Sequence, residues 1–343
     1  MANNVTLFFG SRSVSVPTES VIHEHTMTEN WVHNAEIQYN AMMEVMKEIS
    51  VSGVPFFLST DQHGGTLTQH CWMANTDPTI KNISLGDTVG DCFNLDGIQR
   101  VIQQTGGLPN IIVVPGNHDF KKNTTDAALY PTNYNAINSA FSADGMRKYN
   151  RYGYCSIKDE SRNVKWLVVQ PYVINEDPND TSVAGFLWKF GTEQAKWLIR
   201  ELSENDGYDI VILRHAPFEG DFIGRDGTTR NNADSSAAMR ELEAMLKARI
   251  SGGNGTVTDS EGVTHTYQFS DLEGNLLGML HGHLHQEVWR TENGLTAYCA
   301  DGTLHDMSCV FGVFDRHNKK LRIWKFDKLA VYDELVLDIG LAE

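Results

Sequence analysis

Five short apolar runs in this chain each end directly in polar side chains that are suited to binding metal ions. The runs cover residues 56–58, 83–85, 111–114, 210–213 and 276–280. Each is shorter than an ordinary helix and is typical of a buried strand. Helical patterns around residues 95–104 and 193–202 lie between the runs. This alternation of strands and helices predicts an α/β fold.

The polar residues that follow the runs form five motifs. In chain order these are Asp61-Gln62-His63, Gly86-Asp87, Gly116-Asn117-His118-Asp119, the single His215, and His281-Gly282-His283-Leu284-His285. Carboxylate, amide and imidazole groups are all ligands of divalent metals. Alternation along an extended chain would point Asp61 and His63 to the same face. Because ligands collect outside the carboxyl ends of strands in open α/β sheets, we expect the motifs to converge.

Taken in order, the motifs resemble the pattern of the calcineurin-like metallophosphoesterase family: Asp-x-His, Gly-Asp, Gly-Asn-His-Asp/Glu, a lone His and Gly-His-x-His. Each motif alone is weak, but the ordered set is specific and extends from Asp61 to His285. The resemblance implies an α/β fold, a four-layer αββα sandwich of two mixed β-sheets flanked by helices. It also implies a dinuclear metal centre, with Asp61, His63 and His285 on one ion, Asn117, His215 and His283 on the other, and Asp87 bridging both.

The same resemblance implies a hydrolase acting on phosphoric ester bonds. Metal-bound hydroxide would attack a phosphate ester or phosphoanhydride, and His118, oriented by Asp119, would assist departure of the leaving group. A carboxylate such as Asp87 offsets the repulsion between two cations roughly 3.5 to 4 Å apart. The ions could be manganese, iron or zinc, since mixed nitrogen and oxygen ligands exclude none of these metals.

The sequence departs from the family pattern after Asp87. Many relatives place a carboxylate three residues later and an arginine beside it, whereas Val89-Gly90-Asp91-Cys92 stands here. The arginine that usually contacts phosphate therefore has no counterpart at this point. Lys121 and Lys122 could bind phosphate as compact cations, although lysines in such positions are more often simply solvated.

Charge and composition restrict the partners and the compartment. Lys and Arg number 28 against 44 Asp and Glu, and the net charge of -16 disfavours binding of extended nucleic acid. A phosphorylated small molecule is the expected substrate. The five cysteines are scattered, which fits reduced thiols in the cytoplasm. No stretch resembles a signal peptide or reaches membrane-spanning length, so no membrane association is expected.

Two other functions stay open on the sequence alone. A nuclease of the same superfamily would need a basic track on its surface, which the acidic balance disfavours. A catalytically silent binding or scaffold module would keep the fold without turnover, but the full set of expected metal ligands argues against it. Nothing in the sequence identifies the substrate, a preference for monoesters or diesters, the metal, or the oligomeric state.

We expect three segments: an N-terminal extension at residues 1–50, the metallophosphoesterase domain at 51–330 with an insertion at 219–275, and a C-terminal tail at 331–343. In the extension, apolar residues recur at helical spacing from 34 to 49. This pattern predicts an amphipathic helix packed on the core, with Ile37 on its buried face.

The remaining elements follow from local patterns. Thr192 is predicted to cap the helix at 193–202. A helix from about 236 to 250 and a hairpin at 256–269 are expected within the insertion. Further strands are predicted at 295–299, 309–314 and 321–326. By strand alternation, His281 should point away from the metal ligands.

Overall fold

The computed structural model describes residues 4–9, 12–17, 29–63, 77, 79–88, 111–120, 153–170, 172–174, 186–188, 190–232, 237–302, 308–327 and 330–340. The helix predicted around 95–104 lies outside the described residues, and so do Lys121 and Lys122.

The described elements are short strands and a few helices. The strands are β1 (Asn4–Phe9), β2 (Arg12–Pro17), β3 (Gly53–Ser59), β4 (Lys81–Ser84), β5 (Ile111–Val113), β6 (Cys155–Asp159), β7 (Val164–Val168), β8 (Tyr172–Ile174), β9 (Phe186–Trp188), β10 (Asp209–Leu213), β11 (Gly220–Gly224), β12 (Thr229–Asn232), β13 (Asn254–Thr258), β14 (Thr264–Gln268), β15 (Leu276–His281), β16 (Val288–Glu292), β17 (Leu295–Cys299), β18 (Cys309–Asp315), β19 (Lys320–Phe326) and β20 (Leu335–Asp338). The helices are α1 (Glu29–Ile49), α2 (Asn117–Phe120), α3 (Thr192–Ser203) and α4 (Ala237–Ser251).

One sheet has six strands in the order β20-β19-β18-β3-β4-β5. Strands β3, β4 and β5 run parallel, and β18, β19 and β20 extend the sheet in antiparallel fashion. The parallel strands are buried almost throughout, which explains their uninterrupted apolar sequences. Their carboxyl ends meet at one edge of the sheet, and the first three sequence motifs begin there.

The second sheet has eight strands in the order β12-β11-β16-β17-β15-β10-β7-β6. Strands β7, β10, β15 and β17 are parallel at its centre, and the outer strands are antiparallel to their neighbours. Because β10 and β15 are parallel neighbours, His215 and His283 leave this sheet at the same end. The described residues also form three two-stranded sheets, β1-β2, β8-β9 and β13-β14.

The two large sheets pack face to face and are covered by helices on their outer faces. Phe56 of β3 meets Trp166 of β7 edge to face, with ring centroids 6.4 Å apart, inside a core shared by both sheets. Helix α1 covers the six-stranded sheet through Tyr39, and α3 and α4 cover the eight-stranded sheet through Leu198 and Leu242. Burial of these apolar faces is the main driving force for the arrangement. The predicted four-layer αββα sandwich is confirmed.

Helix α1 differs from its sequence prediction in length and in the exposure of Ile37, whereas Met42, Val45, Met46 and Ile49 are buried as predicted. It begins at Glu29, and Ile37 is 43% exposed rather than buried. The buried face also contains Ala35 and Tyr39, together with Gln38, whose Nε2 donates a 2.9 Å hydrogen bond to the Tyr332 carbonyl. A hydrogen-bonded amide can therefore replace an apolar residue on the packed face.

The prediction that Thr192 caps α3 is wrong. The cap is Gly191, which has no side chain to accept a hydrogen bond, and Thr192 is the first helical residue. Its hydroxyl donates instead to Asp259 Oδ2 at 2.7 Å, linking the helix to the β13-β14 turn. The predicted hairpin itself is confirmed, with Asp259 N bonded to the Val263 carbonyl at 3.0 Å across the turn.

The segment expected to be a C-terminal tail contributes a strand to the core. Within it, β20 pairs with β19, and Leu337 is buried. Among the residues that the structure describes, no helix is both long and apolar enough to cross a membrane.

Candidate metal centre

The chain turns sharply at the points where the metal-ligating motifs leave the two sheets. Asp61, His63, Asp87, His283 and His285 all have positive φ angles, between 48° and 75°. Non-glycine residues rarely adopt this left-handed conformation, and such residues cluster at functional sites. The side chains of Asp61 and His63 do converge. The predicted reason was wrong, because β3 ends at Ser59 and turns rather than strand alternation aim them.

The first cluster contains Asp61, His63 and His285, whose ligand atoms all lie within 4.8 Å of one another. His285 Nε2 is 3.1 Å from Asp61 Oδ1 and 3.2 Å from His63 Nε2. The other carboxylate oxygen, Asp61 Oδ2, accepts hydrogen bonds from the Thr60 hydroxyl at 2.6 Å and the His283 backbone N–H at 2.8 Å. These two bonds hold the carboxylate with Oδ1 facing the imidazoles.

The second cluster contains Asp87, His215 and His283, again with ligand atoms within 4.8 Å. His215 Nε2 is 3.2 Å from Asp87 Oδ2 and 3.3 Å from His283 Nδ1. Asn117 Oδ1 lies 3.1 Å from both of these imidazole nitrogens. All seven predicted ligands are therefore brought together, from both sheets. Their individual roles as ligands stay a prediction.

The His215 ring is oriented by a backbone carbonyl. Its Nδ1 lies 2.6 Å from the Leu85 oxygen, which can only accept a hydrogen bond, so Nδ1 carries the proton. The other ring nitrogen, Nε2, then faces Asp87 and Asn117. A hydrogen bond of this kind from the second ring nitrogen is typical of metal-binding histidines.

His118 and Asp119 lie in the short helix α2. The His118 backbone N–H donates to Asp87 Oδ1 at 2.7 Å, and its Nε2 is 3.8 Å from Asp87 Oδ2. Its ligand atom also groups with those of His63 and Asp87 within 4.8 Å. Asp119 is buried and its Oδ2 accepts a 2.8 Å hydrogen bond from Gly116 N. The predicted orientation of His118 by Asp119 stays a prediction.

Two glycines are required by close approach rather than by backbone conformation. A Cβ at Gly282 would lie 1.8 Å from Thr60 Oγ1, and one at Gly116 would lie 2.2 Å from Asp87 Oδ1. Both distances are far below van der Waals contact. The glycines of the Gly-Asn-His-Asp and Gly-His-x-His motifs therefore let the loops from the two sheets approach the carboxylates.

The ionised carboxylates and the neutral His283 of the cluster suit cation binding. Burial favours a higher pKa for Asp61 and Asp87, but the charge of His215 and hydrogen bonds from neighbouring side chains together outweigh it, so the pKa of each carboxyl lies below its usual value. Burial and the charge of His215 lower the pKa of His283 to about 4. Burial also opposes the charge on His215 itself, but Asp87 and Asp61 raise its pKa to about 9. Without a cation, the protonated His215 partly balances the two carboxylates.

The donor set fits bound metal ions. Two pairs of imidazole nitrogens face each other, His63 Nε2 with His285 Nε2 at 3.2 Å and His215 Nε2 with His283 Nδ1 at 3.3 Å. In each pair the two nitrogens are close enough to bind one divalent cation together with a neighbouring carboxylate. The residues present therefore match a centre for divalent metals.

Several residues that orient the metal-binding side chains were not identified from the sequence. Thr60 and the Leu85 carbonyl orient Asp61 and His215, and the Cys299 thiol donates to the Gly282 carbonyl at 2.9 Å. A hydroxyl residue directly before the motif aspartate was a usable signal for Thr60. His281 is fully buried, with its ring edge to face against Phe218 at 6.3 Å.

Comparisons with known proteins give a structural match only. No family model and no curated protein matches the sequence. The structure of PhoD, a metallophosphoesterase, is similar over 84% of this chain and 70% of its own, with a TM-score of 0.51 and 12% identity.

Two further structures are similar at lower scores. GAP50, the anchor in the inner membrane complex of Plasmodium, has a TM-score of 0.46 and 10% identity over 85% of this chain and 90% of its own. The purple acid phosphatase PPD1 from yellow lupin (Lupinus luteus) seeds has a TM-score of 0.43 and 15% identity over 84% and 54%. The fold assignment rests on the match to PhoD. Together with the two-sheet topology and the ordered motifs, it shows that this chain has the calcineurin-like metallophosphoesterase fold.

Proposed function

We propose that this chain hydrolyses phosphate esters or phosphoanhydrides with two divalent metal ions. Asp61, His63 and His285 would hold one ion, Asn117, His215 and His283 the other, and Asp87 would bridge them. The observation that carries the proposal is the convergence of the five motifs from two sheets into ligand clusters with atoms within 4.8 Å. Asp87 lies in contact range of His63, His118 and His215, which suits a central bridging carboxylate.

The bound ions would supply a water nucleophile of lowered pKa and neutralise charge on the phosphoryl oxygens. The chain itself provides rigid positioning. Asp61 is fixed by two hydrogen bonds and His215 by one, so little reorganisation is needed when substrate binds. Ligands held in this way keep their geometry during turnover, which is a requirement for in-line displacement at phosphorus.

We infer that His118 donates a proton to the leaving group. Its side chain is 24% exposed, so a substrate can reach it, while its backbone is held by Asp87 Oδ1 at 2.7 Å. An imidazole in this position can donate a proton to the departing oxygen. The ring of His63 packs edge to face against it, with centroids 4.5 Å apart, which restricts its rotation.

The test is a hydrolysis assay on protein stripped of metal and then reloaded with manganese, iron or zinc. The substrates are an aryl phosphate, alkyl monoesters, diesters, cyclic nucleotides and pyrophosphate. We expect turnover only after reloading, and a large loss in His118→Ala but none in His317→Ala, which removes an exposed histidine in the β18-β19 turn. Absence of hydrolysis of every substrate with every metal would overturn the proposal.

A further inference from the structure

A cavity opens directly beside the proposed metal centre. It has a volume of about 320 Å³, and His285 lines it. Asp301 also lines the cavity, and the next residue, Gly302, packs against His285 so closely that a Cβ there would lie 3.3 Å from the His285 Cβ. The cavity is therefore adjacent to the proposed metal centre, where a phosphoryl group would bind.

The cations of the cavity wall are already compensated by carboxylates. Arg225 binds Glu287 through two nitrogens, and its Nη1 donates to the Asp333 carbonyl at 2.6 Å. Lys325 Nζ is 2.7 Å from Asp301 Oδ2. These groups are fixed by their partners, so none of them offers a free charge to a ligand.

The third pair lies at the exposed rim. Arg230 Nη2 is 3.3 Å from Asp226 Oδ2, and Arg230 Nε donates to Gln286 Oε1 at 2.9 Å. The side chains of Arg230 and Asp226 are 44% and 57% exposed, so both can contact a ligand. Among the described residues that line the cavity, three cations thus face three carboxylates.

This balance of charge selects against a charged ligand of either sign. A second anionic group would meet the carboxylates of Asp226, Glu287 and Asp301, and a cationic group would meet the three basic side chains. Hydroxyl groups, in contrast, both donate and accept hydrogen bonds, so they match a wall of alternating donors and acceptors. Ion pairs that are fixed in this way select a ligand by the match between its hydrogen-bonding groups and theirs, and not by attraction to a net charge.

We propose that this cavity binds the leaving group of the phosphoester, and that this leaving group is an uncharged polyhydroxyl alcohol such as a sugar. The proposal rests on the proposed phosphoesterase function and deepens it by naming a substrate class. The volume is at the lower end of ligand pockets, which range over roughly 300 to 1,000 Å³. A monosaccharide is a suitable occupant in size and in hydrogen-bonding character.

The test compares three six-carbon substrates on the metal-loaded protein: glucose 6-phosphate, the sugar-acid ester 6-phosphogluconate, and glucosamine 6-phosphate. Their leaving groups are neutral, anionic and cationic, respectively. We expect the highest kcat/KM for glucose 6-phosphate. Asp226→Asn leaves the cavity with an excess positive charge and should raise kcat/KM for 6-phosphogluconate relative to glucose 6-phosphate. Arg230→Gln leaves an excess negative charge and should raise the relative value for glucosamine 6-phosphate.

Each shift should be about threefold to tenfold, the effect of one charge at a hydrated site. Asp221→Asn and Arg240→Gln remove the same charges from exposed positions outside the cavity and should leave all three ratios unchanged. A wild-type preference for a charged leaving group, or ratios in the cavity variants equal to those of the controls, would overturn the proposal while aryl phosphate is still hydrolysed. Loss of all ester hydrolysis would instead overturn the phosphoesterase function on which it rests.

Discussion

His215 Nε2 lies 3.1 Å from Asn117 Oδ1, although the two residues follow strands of different sheets. His215 follows β10 of the eight-stranded sheet, and Asn117 begins α2 after β5 of the six-stranded sheet. The same is true of Asp61 and His285, which are 3.1 Å apart across the two sheets. The candidate metal centre is therefore also a contact between the two halves of the sandwich.

Metal binding should for this reason stabilise the whole fold. Ions bound only by the native chain at a free concentration of about 100 Kd would add roughly 2.7 kcal/mol per site to the free energy of unfolding. We expect a clear fall in Tm when the ions are removed with a chelator, and recovery on reloading. An unchanged Tm in protein proven to lose its metal would show that the centre does not join the sheets.

The variant His118→Ala should show whether His118 acts as a proton donor or as a metal ligand. If His118 protonates the leaving group, kcat should fall by about 10²- to 10⁴-fold while the metal content stays that of the wild type. The two roles must be distinguished because the ligand atom of His118 also lies within 4.8 Å of those of His63 and Asp87. Loss of one bound ion in elemental analysis of the variant would make His118 a ligand and refute the proposed role.

Gly282→Ala should damage the site through simple overlap. The added Cβ would lie 1.8 Å from Thr60 Oγ1 and 2.8 Å from Asp61 Oδ2, so the loop must move away from the carboxylate. Forced overlaps of this size cost about 1 to 3 kcal/mol. We expect a lower Tm and weaker metal binding. Gly253→Ala is the control, because the nearest atom to its Cβ is 3.4 Å away.

Asp259 should make the β13-β14 turn sensitive to acid. Its carboxylate accepts hydrogen bonds from Glu261 N, Val263 N, the Thr192 hydroxyl and His265 Nε2, at 2.7 to 3.0 Å. Burial alone would raise the pKa of Asp259, but these hydrogen bonds together, first that of His265, outweigh it, so the folded pKa lies below the ordinary value. The stabilisation is then present above the unfolded pKa of about 3.9 and is lost as pH falls through the folded pKa.

The measurement is the Tm of wild type and Asp259→Asn as a function of pH. The wild type should be more stable by about 2 kcal/mol at neutral pH, as charge-assisted hydrogen bonds are lost in the variant. The gap should narrow as the pH drops below about 4. Asp271→Asn, at an exposed position, should show no gap. This role for Asp259 would be excluded if the difference in stability between wild type and Asp259→Asn were as large below the folded pKa as at neutral pH.

The sequence predicted the elements that depend on local patterns. Strands such as β3 and β10 are buried on both faces, so their apolar runs were visible directly, and the motifs at their ends were visible as polar interruptions. The order of those motifs, compared with a known family, was enough to predict the sandwich. These features need only a few neighbouring residues to be recognised.

What the sequence did not predict depends on contacts between distant residues. The burial of Gln38 requires the Tyr332 carbonyl, and the position of Thr192 requires Asp259. The left-handed turns that aim Asp61 and His63 are likewise imposed by hydrogen bonds to Gly86 and Asp87 of the neighbouring loop. The charge-balanced cavity beside His285 combines five separate chain segments and has no local signature.

The most direct test of the central claim is a metal titration of stripped protein, with bound metal and aryl phosphate hydrolysis measured on the same samples. We predict that the rate of hydrolysis rises until two ions are bound per chain and then stays constant. The variant Asp87→Asn should lose more activity than the roughly 10- to 100-fold typical of changes around a metal site. Full activity with one ion per chain, or full activity with none, would contradict the two-metal account.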